Sequence, residues 1–141
     1  MRFLDRLQPL GLLVLRVTLG AIMVAHGYSK VFGGLQGFAG FVGSLGLPWW
    51  LGYVAAFAEF VGGLFLIFGI LTRWAALTIC VEMLVALWKV AGKGSFMGQS
   101  SAHLPLLIAT AALLFVFFGG GRVSFDAVLF RAGARPARNR A

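Results

Sequence analysis

Apolar residues run along this chain in four long blocks. The blocks extend from about Leu10 to Tyr28, Trp49 to Ile70, Trp74 to Val90 and Leu104 to Phe118. A helix of about 20 apolar residues crosses the roughly 30 Å of bilayer hydrocarbon, and about 17 is near the lower limit. The first two blocks reach that length, and the last two draw on flanking residues such as Gly119 to Gly121. Tyr28, Trp49, Trp50, Tyr53, Trp74 and Trp88 mark block edges, as interfacial aromatic belts do. Between the first two blocks, Phe38, Phe41, Val42 and Leu45 recur at helical spacing, and Gly46 and Pro48 stop the pattern. The pattern predicts an all-α integral membrane protein. It is a four-helix bundle with a short interfacial helix between the first and second spans, and a lid over a site is one role open to that helix. Residues 1–130 form one transmembrane domain and residues 131–141 a basic, disordered cytoplasmic tail.

Composition narrows the class. Of 141 residues, 60% are hydrophobic and 11% charged, whereas a soluble domain has about 25% charged residues. Too few polar side chains remain to cover a soluble enzyme. The formal charge of +8 suggests nucleic acid only until its residues are placed. Arg2, Arg6, Arg73, Arg122, Arg131, Arg135, Arg138 and Arg140 fall on one side of four spans, and Lys30, Lys89 and Lys93 on the other. That asymmetry puts both termini in the cytoplasm. The tail arginines then face anionic lipid, and no nucleic-acid partner is expected. The first block could resemble a signal peptide, but Arg16 interrupts it and no small-x-small cleavage site follows, so it reads as a span. A single cysteine, Cys80, excludes an intramolecular disulfide or a thiolate metal site within one chain and reads as an apolar filler.

The informative residues are the ionisable ones inside the blocks. A charge at the centre of a spanning helix is unfavourable by about 2.5–3.5 kcal/mol on insertion scales, so such groups face protein and pair. Arg16, Glu59 and Glu82 qualify. Arg16 shares a helical stripe with Gly20, Met23, Gly27 and Lys30. Glu59 shares one with Gly52, Ala55, Ala56 and Gly63, and Glu82 one with Thr78, Ala86, Lys89 and Lys93. Arg16 is expected to reach Glu59 or Glu82 across a helix contact. One cation facing two acids leaves a charge that a proton held by one carboxyl would balance. The network either fixes packing alone or lines a polar cavity for protons, a quinone head or another small polar ligand. His26 and Lys30 end the first span, Lys89 ends the third and His103 opens the fourth. These four form a second cluster suited to hydrogen bonding. No nucleophile–base pair, phosphate loop, dinucleotide fingerprint or metal site is predicted.

The order Arg16-x3-Gly20, His26-Gly27-x2-Lys30, Leu45-Gly46-Leu47-Pro48, Glu59-x2-Gly62-Gly63, Gly69-x2-Thr72-Arg73 and Gly119-Gly-Gly-x2-Ser124-x-Asp126 resembles the DoxX family of small bacterial membrane proteins. The family's usual ending is Gly-Pro-Gly-x-Tyr-Ser-Leu-Asp. Here Gly120, Val123 and Phe125 replace the Pro, Tyr and Leu, and His103 stands where many relatives carry an acid. The resemblance implies a four-helix protein of the bacterial inner membrane. It also implies an accessory subunit of a membrane-bound oxidoreductase, quinone/quinol- or thiosulfate-linked and tied to oxidative-stress defence, working with redox partner subunits. It carries over Arg16, His26, Lys30, Glu59, Arg73 and Asp126, with Arg73 orienting a helix end and Asp126 capping or pairing near the tail. No intrinsic cofactor is expected, and a quinone is the candidate ligand. Two other functions fit the residues. One is a small-solute or proton carrier working as a homo-oligomer; the other is a structural or assembly subunit without catalysis.

Overall fold

The computed structural model describes residues 2–91, 102–121 and 123–133. Six helices and no strands occur among them: α1 (Arg2–Gly33), α2 (Leu35–Ser44), α3 (Trp50–Phe68), α4 (Thr72–Ala91), α5 (His103–Phe118) and α6 (Phe125–Gly133). The four apolar blocks are α1, α3, α4 and α5. Two helical stretches, Leu7–Gly33 and Trp50–Phe68, are long and apolar enough to cross a membrane. The α5 helix has 16 residues, so it is about 24 Å long at 1.5 Å per residue.

Helix α6 departs from the expectation for the C-terminal end. The predicted tail began at residue 131, yet α6 runs to Gly133. Its start is set by Ser124, whose Oγ accepts the Ala127 N–H at 3.1 Å, as an N-cap hydroxyl does. Residues 134–141, and the side chains of Arg2, Arg6, Lys93, Arg122 and Arg131, lie outside what the structure describes.

Helix α1 packs on α3, α3 on α4, α4 on α5, and α5 makes a lighter contact back to α1. The α1–α3 crossing is the tightest. A Cβ placed on Gly20 would sit 2.7 Å from the Gly63 carbonyl oxygen, and one on Gly63 would sit 2.7 Å from the Val24 nitrogen. A Cβ on Gly27 would strike the Phe60 backbone. Small residues allow this approach where lipid offers no hydrophobic drive between helices. The α4–α5 contact is filled differently, by Ala76, Ile79, Ala112 and Phe115, each with no exposed surface. Cys80 belongs to this apolar core. Helix α2 lies against α3 where Ala39 meets Gly52 backbone to backbone. Outward faces are mostly apolar, and Tyr28, Trp49, Trp50, Trp74 and Trp88 are all more than half exposed.

The chain turns from α3 to α4 through a Schellman motif. Gly69 takes a left-handed φ of 71°, and the Ile70 N–H reaches back to the Phe65 carbonyl at 2.9 Å.

Substituting Gly20→Leu or Gly63→Leu is expected to lower stability by about 1–3 kcal/mol, the usual penalty for overpacking. Gly11→Ala, with nothing within 4 Å of the new methyl, should leave stability unchanged or raise it by about 0.5–1 kcal/mol. Thermal unfolding in detergent distinguishes the two classes.

Candidate functional site

The expected ionisable residues divide between two ends of the molecule. At one end Lys30 Nζ donates to Glu59 Oε1 at 2.5 Å. Glu59 is 2% exposed and sits in the middle of α3. Lys30 is one turn from the end of α1, so its four-carbon stem runs inward along the helix face to meet the acid. The same ammonium lies 4.3 Å from the centre of the Phe38 ring on α2, a cation–π contact. Glu82 on α4 lines the same cavity as Glu59. Glu59 Oε2 and Glu82 Oε2 are each buried and receive no hydrogen bond from a protein donor. Ionised carboxylates only accept, so a proton on either acid would supply the missing donor.

These groups form the floor of a cavity of about 490 Å³, within the range of small-molecule sites. His26, Lys89 and Thr78 also face it, and every other wall residue is apolar. The His26 ring is exposed, and its Nδ1 bonds the Ile22 carbonyl at 2.9 Å. A carbonyl can only accept, so Nδ1 carries the proton. Lys89 donates to the Leu45 carbonyl at 3.0 Å, tying the end of α2 to α4. His103 opens α5 next to this end but is not among the cavity walls. Among the described residues no group of three or more His, Cys, Asp or Glu stands together for a metal ion.

Arg16 is not part of this network, which corrects the expectation that it would pair with Glu59 or Glu82. Its guanidinium is buried at the opposite end, donating through Nη1 to the Gly120 carbonyl and through Nη2 to the Val123 carbonyl at 2.8 Å. Antiparallel register is the reason. Gly20 faces Gly63 and Gly27 faces Phe60, so one turn further along α1 Arg16 meets Gly69. Fourteen positions, about 21 Å of helix rise, separate it from Lys30.

Around Arg16 three short motifs, distant in sequence, converge. A Cβ on Gly69 would fall 2.7 Å from both Arg16 Nη1 and Ser124 Cβ. Asp126 accepts the Leu71 N–H at 2.8 Å through Oδ1 and the Thr72 N–H at 2.9 Å through Oδ2. Its own N–H donates to the Gly69 carbonyl at 3.0 Å. Leu71 is held at a φ of 46°, a left-handed conformation uncommon for a non-glycine residue. Asp126 therefore supplies from α6 the first-turn cap that α4 lacks in its own sequence. Arg73 donates to the Phe117 carbonyl at 3.3 Å, satisfying an end of α5. An open cleft of about 620 Å³ lies along this junction. Sequence reasoning placed these motifs separately. The Asp126–Leu71 and Arg16–Gly120 contacts follow only once the helices are antiparallel in this register.

The DoxX family profile matches residues 11–92. The chain belongs to the DoxX family. Among DoxX relatives, a Bacillus subtilis protein named "Putative oxidoreductase CatD" is 34% identical over 122 residues, covering 86% of this chain and 89% of that protein. A Haemophilus influenzae protein without a described activity is 35% identical over 135 residues, 93% and 99% of the two chains. "Inner membrane protein YqjF" of Escherichia coli is 28% identical over 131 residues, 89% and 97% of the two. No solved structure gives a significant match. Family membership, together with two helices able to cross the bilayer, makes this a membrane protein.

The two ends of this DoxX protein should respond differently to substitution. Lys30→Met strands a buried carboxylate and is expected to destabilise by about 3–5 kcal/mol; Lys30→Met with Glu59→Gln should recover most of that loss. Arg16→Ala removes hydrogen bonds from a charged donor and should destabilise by about 2–4 kcal/mol, with no recovery from Glu59→Gln. Double-mutant cycles in detergent unfolding check both: coupling of Arg16 to Glu59 near zero, coupling of Lys30 to Glu59 large.

Proposed function

We propose that this chain is an accessory subunit of a membrane-bound, quinone-linked oxidoreductase of the bacterial inner membrane, and that the Lys30–Glu59–Glu82 cavity receives the quinone head. In this reading α1, α3, α4 and α5 span the bilayer as a four-helix bundle. Helix α2 lies at the outer interface and both termini are cytoplasmic, with Arg73 and the C-terminal arginines on the positive side.

The observation that carries the reading is the cavity floor. Lys30, Glu59 and Glu82 line one mostly apolar chamber, which His26, Thr78 and Lys89 also face. A quinone carbonyl accepts hydrogen bonds, and the quinone needs two electrons and two protons to become a quinol. A proton shared by Glu59 and Glu82 can pass to one carbonyl oxygen as it gains electron density, and the second proton, for the other oxygen, comes from water. Lys30, turning from Glu59, can stabilise the same developing negative charge. Intramembrane ionisable groups of this kind are functional by default. The sequence carries no cofactor-binding motif, so both electrons must come from a redox partner subunit. The relative named as an oxidoreductase and the relative named as an inner membrane protein support the class and the location. A carrier path through Arg16, Glu59 and Glu82 loses support because Arg16 is bound at the far end.

Native mass spectrometry of the protein released gently from its own membranes tests the proposal. A bound quinone mass is expected in the wild type, reduced at least tenfold in occupancy by Glu59→Gln or Glu82→Gln while the protein remains folded. A wild-type protein carrying only phospholipid, with unchanged stability in both variants, would overturn it and favour a structural subunit.

A further inference from the structure

We propose that the cleft at the Arg16 end is a binding site for the phosphate of an anionic phospholipid, and that Arg73 is the group that takes it. Leu71 to Arg73 follow directly on α3, one of the two helices able to cross the bilayer, so the cleft stands at the level of the lipid head groups. Two guanidiniums meet one carboxylate there. Arg16 and Asp126 both lie against Gly69, and Arg73 lines the cleft beside Asp126. Neither arginine is ion-paired among the described residues, where the one ion pair is Lys30–Glu59 at the other end. The junction therefore carries an excess positive charge, and Arg73 is its exposed part. The Arg73 side chain is also held in place. It lies over Gly119, where a Cβ would come within 3.3 Å of Nε, and one Nη2 hydrogen goes to the Phe117 carbonyl at 3.3 Å. A guanidinium has five N–H donors, and the other four reach no acceptor among the described residues. A fixed fork of free donors is what two phosphate oxygens require.

The acceptors around the cleft are already engaged, and that selects the head group. The Gly120 and Val123 carbonyls take Arg16, the Gly121 carbonyl takes the Ser124 hydroxyl at 2.9 Å, and the Phe117 carbonyl takes Arg73. Both Asp126 oxygens accept backbone N–H groups of α4. The ammonium of a zwitterionic head would compete for these acceptors and add to the excess positive charge. A head that carries its phosphate charge alone needs no acceptor and neutralises the excess. The rim selects a lipid over a soluble phosphate. Leu71, Trp74 and Phe118 line the cleft and are 49%, 69% and 64% exposed, and an exposed Trp at this depth is typical of the bilayer interface. Acyl chains of a lipid seated on Arg73 run along these side chains, which a free phosphate would leave untouched.

The test uses the full chain, delipidated in detergent and titrated with phosphatidylglycerol or phosphatidylethanolamine of the same acyl chains, with occupancy read by native mass spectrometry. The wild type is expected to bind phosphatidylglycerol about tenfold more tightly. Arg73→Gln should weaken phosphatidylglycerol by about tenfold, the loss of one charge-assisted contact, and phosphatidylethanolamine by about twofold or less. Arg73→Lys, which keeps the charge without the fork, should fall between the wild type and Arg73→Gln. Arg138→Gln, which removes one charge from the C-terminal arginine run, should change neither affinity. In the unsubstituted protein, a phosphatidylglycerol with a photoreactive group on its head should label the peptides that hold Arg73 and Gly119 to Gly121. Equal affinity of the wild type for the two lipids, equal losses in Arg73→Gln and Arg138→Gln, or labelling that misses both peptides overturns the site. Glycerol phosphate binding as tightly as phosphatidylglycerol, and displaced by it, overturns the lipid and assigns the cleft to a soluble phosphate. None of these outcomes bears on the Lys30 cavity, so the quinone proposal stands or falls separately.

Discussion

Helices α1 and α3 meet backbone to backbone at Gly20, Gly63 and Gly27, and that contact sets the register of Arg16 and Lys30 against Glu59 and the turn at Gly69. With no side chains between them, the helices cannot slide by a turn without driving Val24, Phe60 or Ile67 into the opposing backbone. Lys30 is thereby brought to Glu59 and Arg16 to the turn at Gly69. In a bilayer, where apolar surfaces gain little by meeting one another, close packing and the pairing of polar groups are the forces left to choose a structure. Here they act together, since the glycine contacts bring the charges into reach.

The two ends use their charges differently. At the Arg16 end each main polar contact joins a side chain to backbone: guanidinium to carbonyls, Asp126 to the open N–H groups of α4, Arg73 to the end of α5. Such contacts tie chain turns together and hold Leu71 in its unusual conformation. At the Lys30 end the central contact is between side chains, and two buried carboxylate oxygens beside it are left without a hydrogen-bond partner among the described residues. A guanidinium, with its fixed fork of donors and permanent charge, suits the first task. An ammonium on a flexible stem beside a pair of acids suits the second.

The helices were legible in the sequence because hydrophobic length is a strong local signal. The short α2 was legible from the spacing of Phe38, Phe41, Val42 and Leu45. Glu59, Glu82, Lys30, His26 and Lys89 were also readable as candidates, since ionisable groups on apolar faces stand out. Their partners were not. Whether Arg16 or Lys30 meets Glu59 depends on interhelical register, which glycine positions encode only when the facing helix is known. The stripe Thr78–Glu82–Ala86–Lys89–Lys93 was compatible with packing or with lining a cavity; Thr78, Glu82, Ala86 and Lys89 line the cavity, and α4 packs through Ala76, Ile79 and Cys80. Both stripes are apolar enough to serve, so periodicity alone could not choose. Helix α6 was missed because the arginine-rich run after it dominates the composition, though Ser124 ahead of Asp126 is an N-cap signal.

Charge balance decides how the Lys30 end must be occupied. Lys30, Glu59 and Glu82 carry one positive and up to two negative charges in a mostly apolar enclosure. Lys89 faces the same chamber, but its ammonium is committed to the Leu45 carbonyl and stacked near Trp88. A proton held between the acids neutralises the set and gives Glu59 and Glu82 their missing donor. Neutrality then depends on a particle that can leave. Any ligand that accepts hydrogen bonds at the floor competes for that proton, and any ligand that becomes negative there draws it away together with Lys30. Under the quinone proposal, a head group whose charge changes while it is bound would couple to that proton.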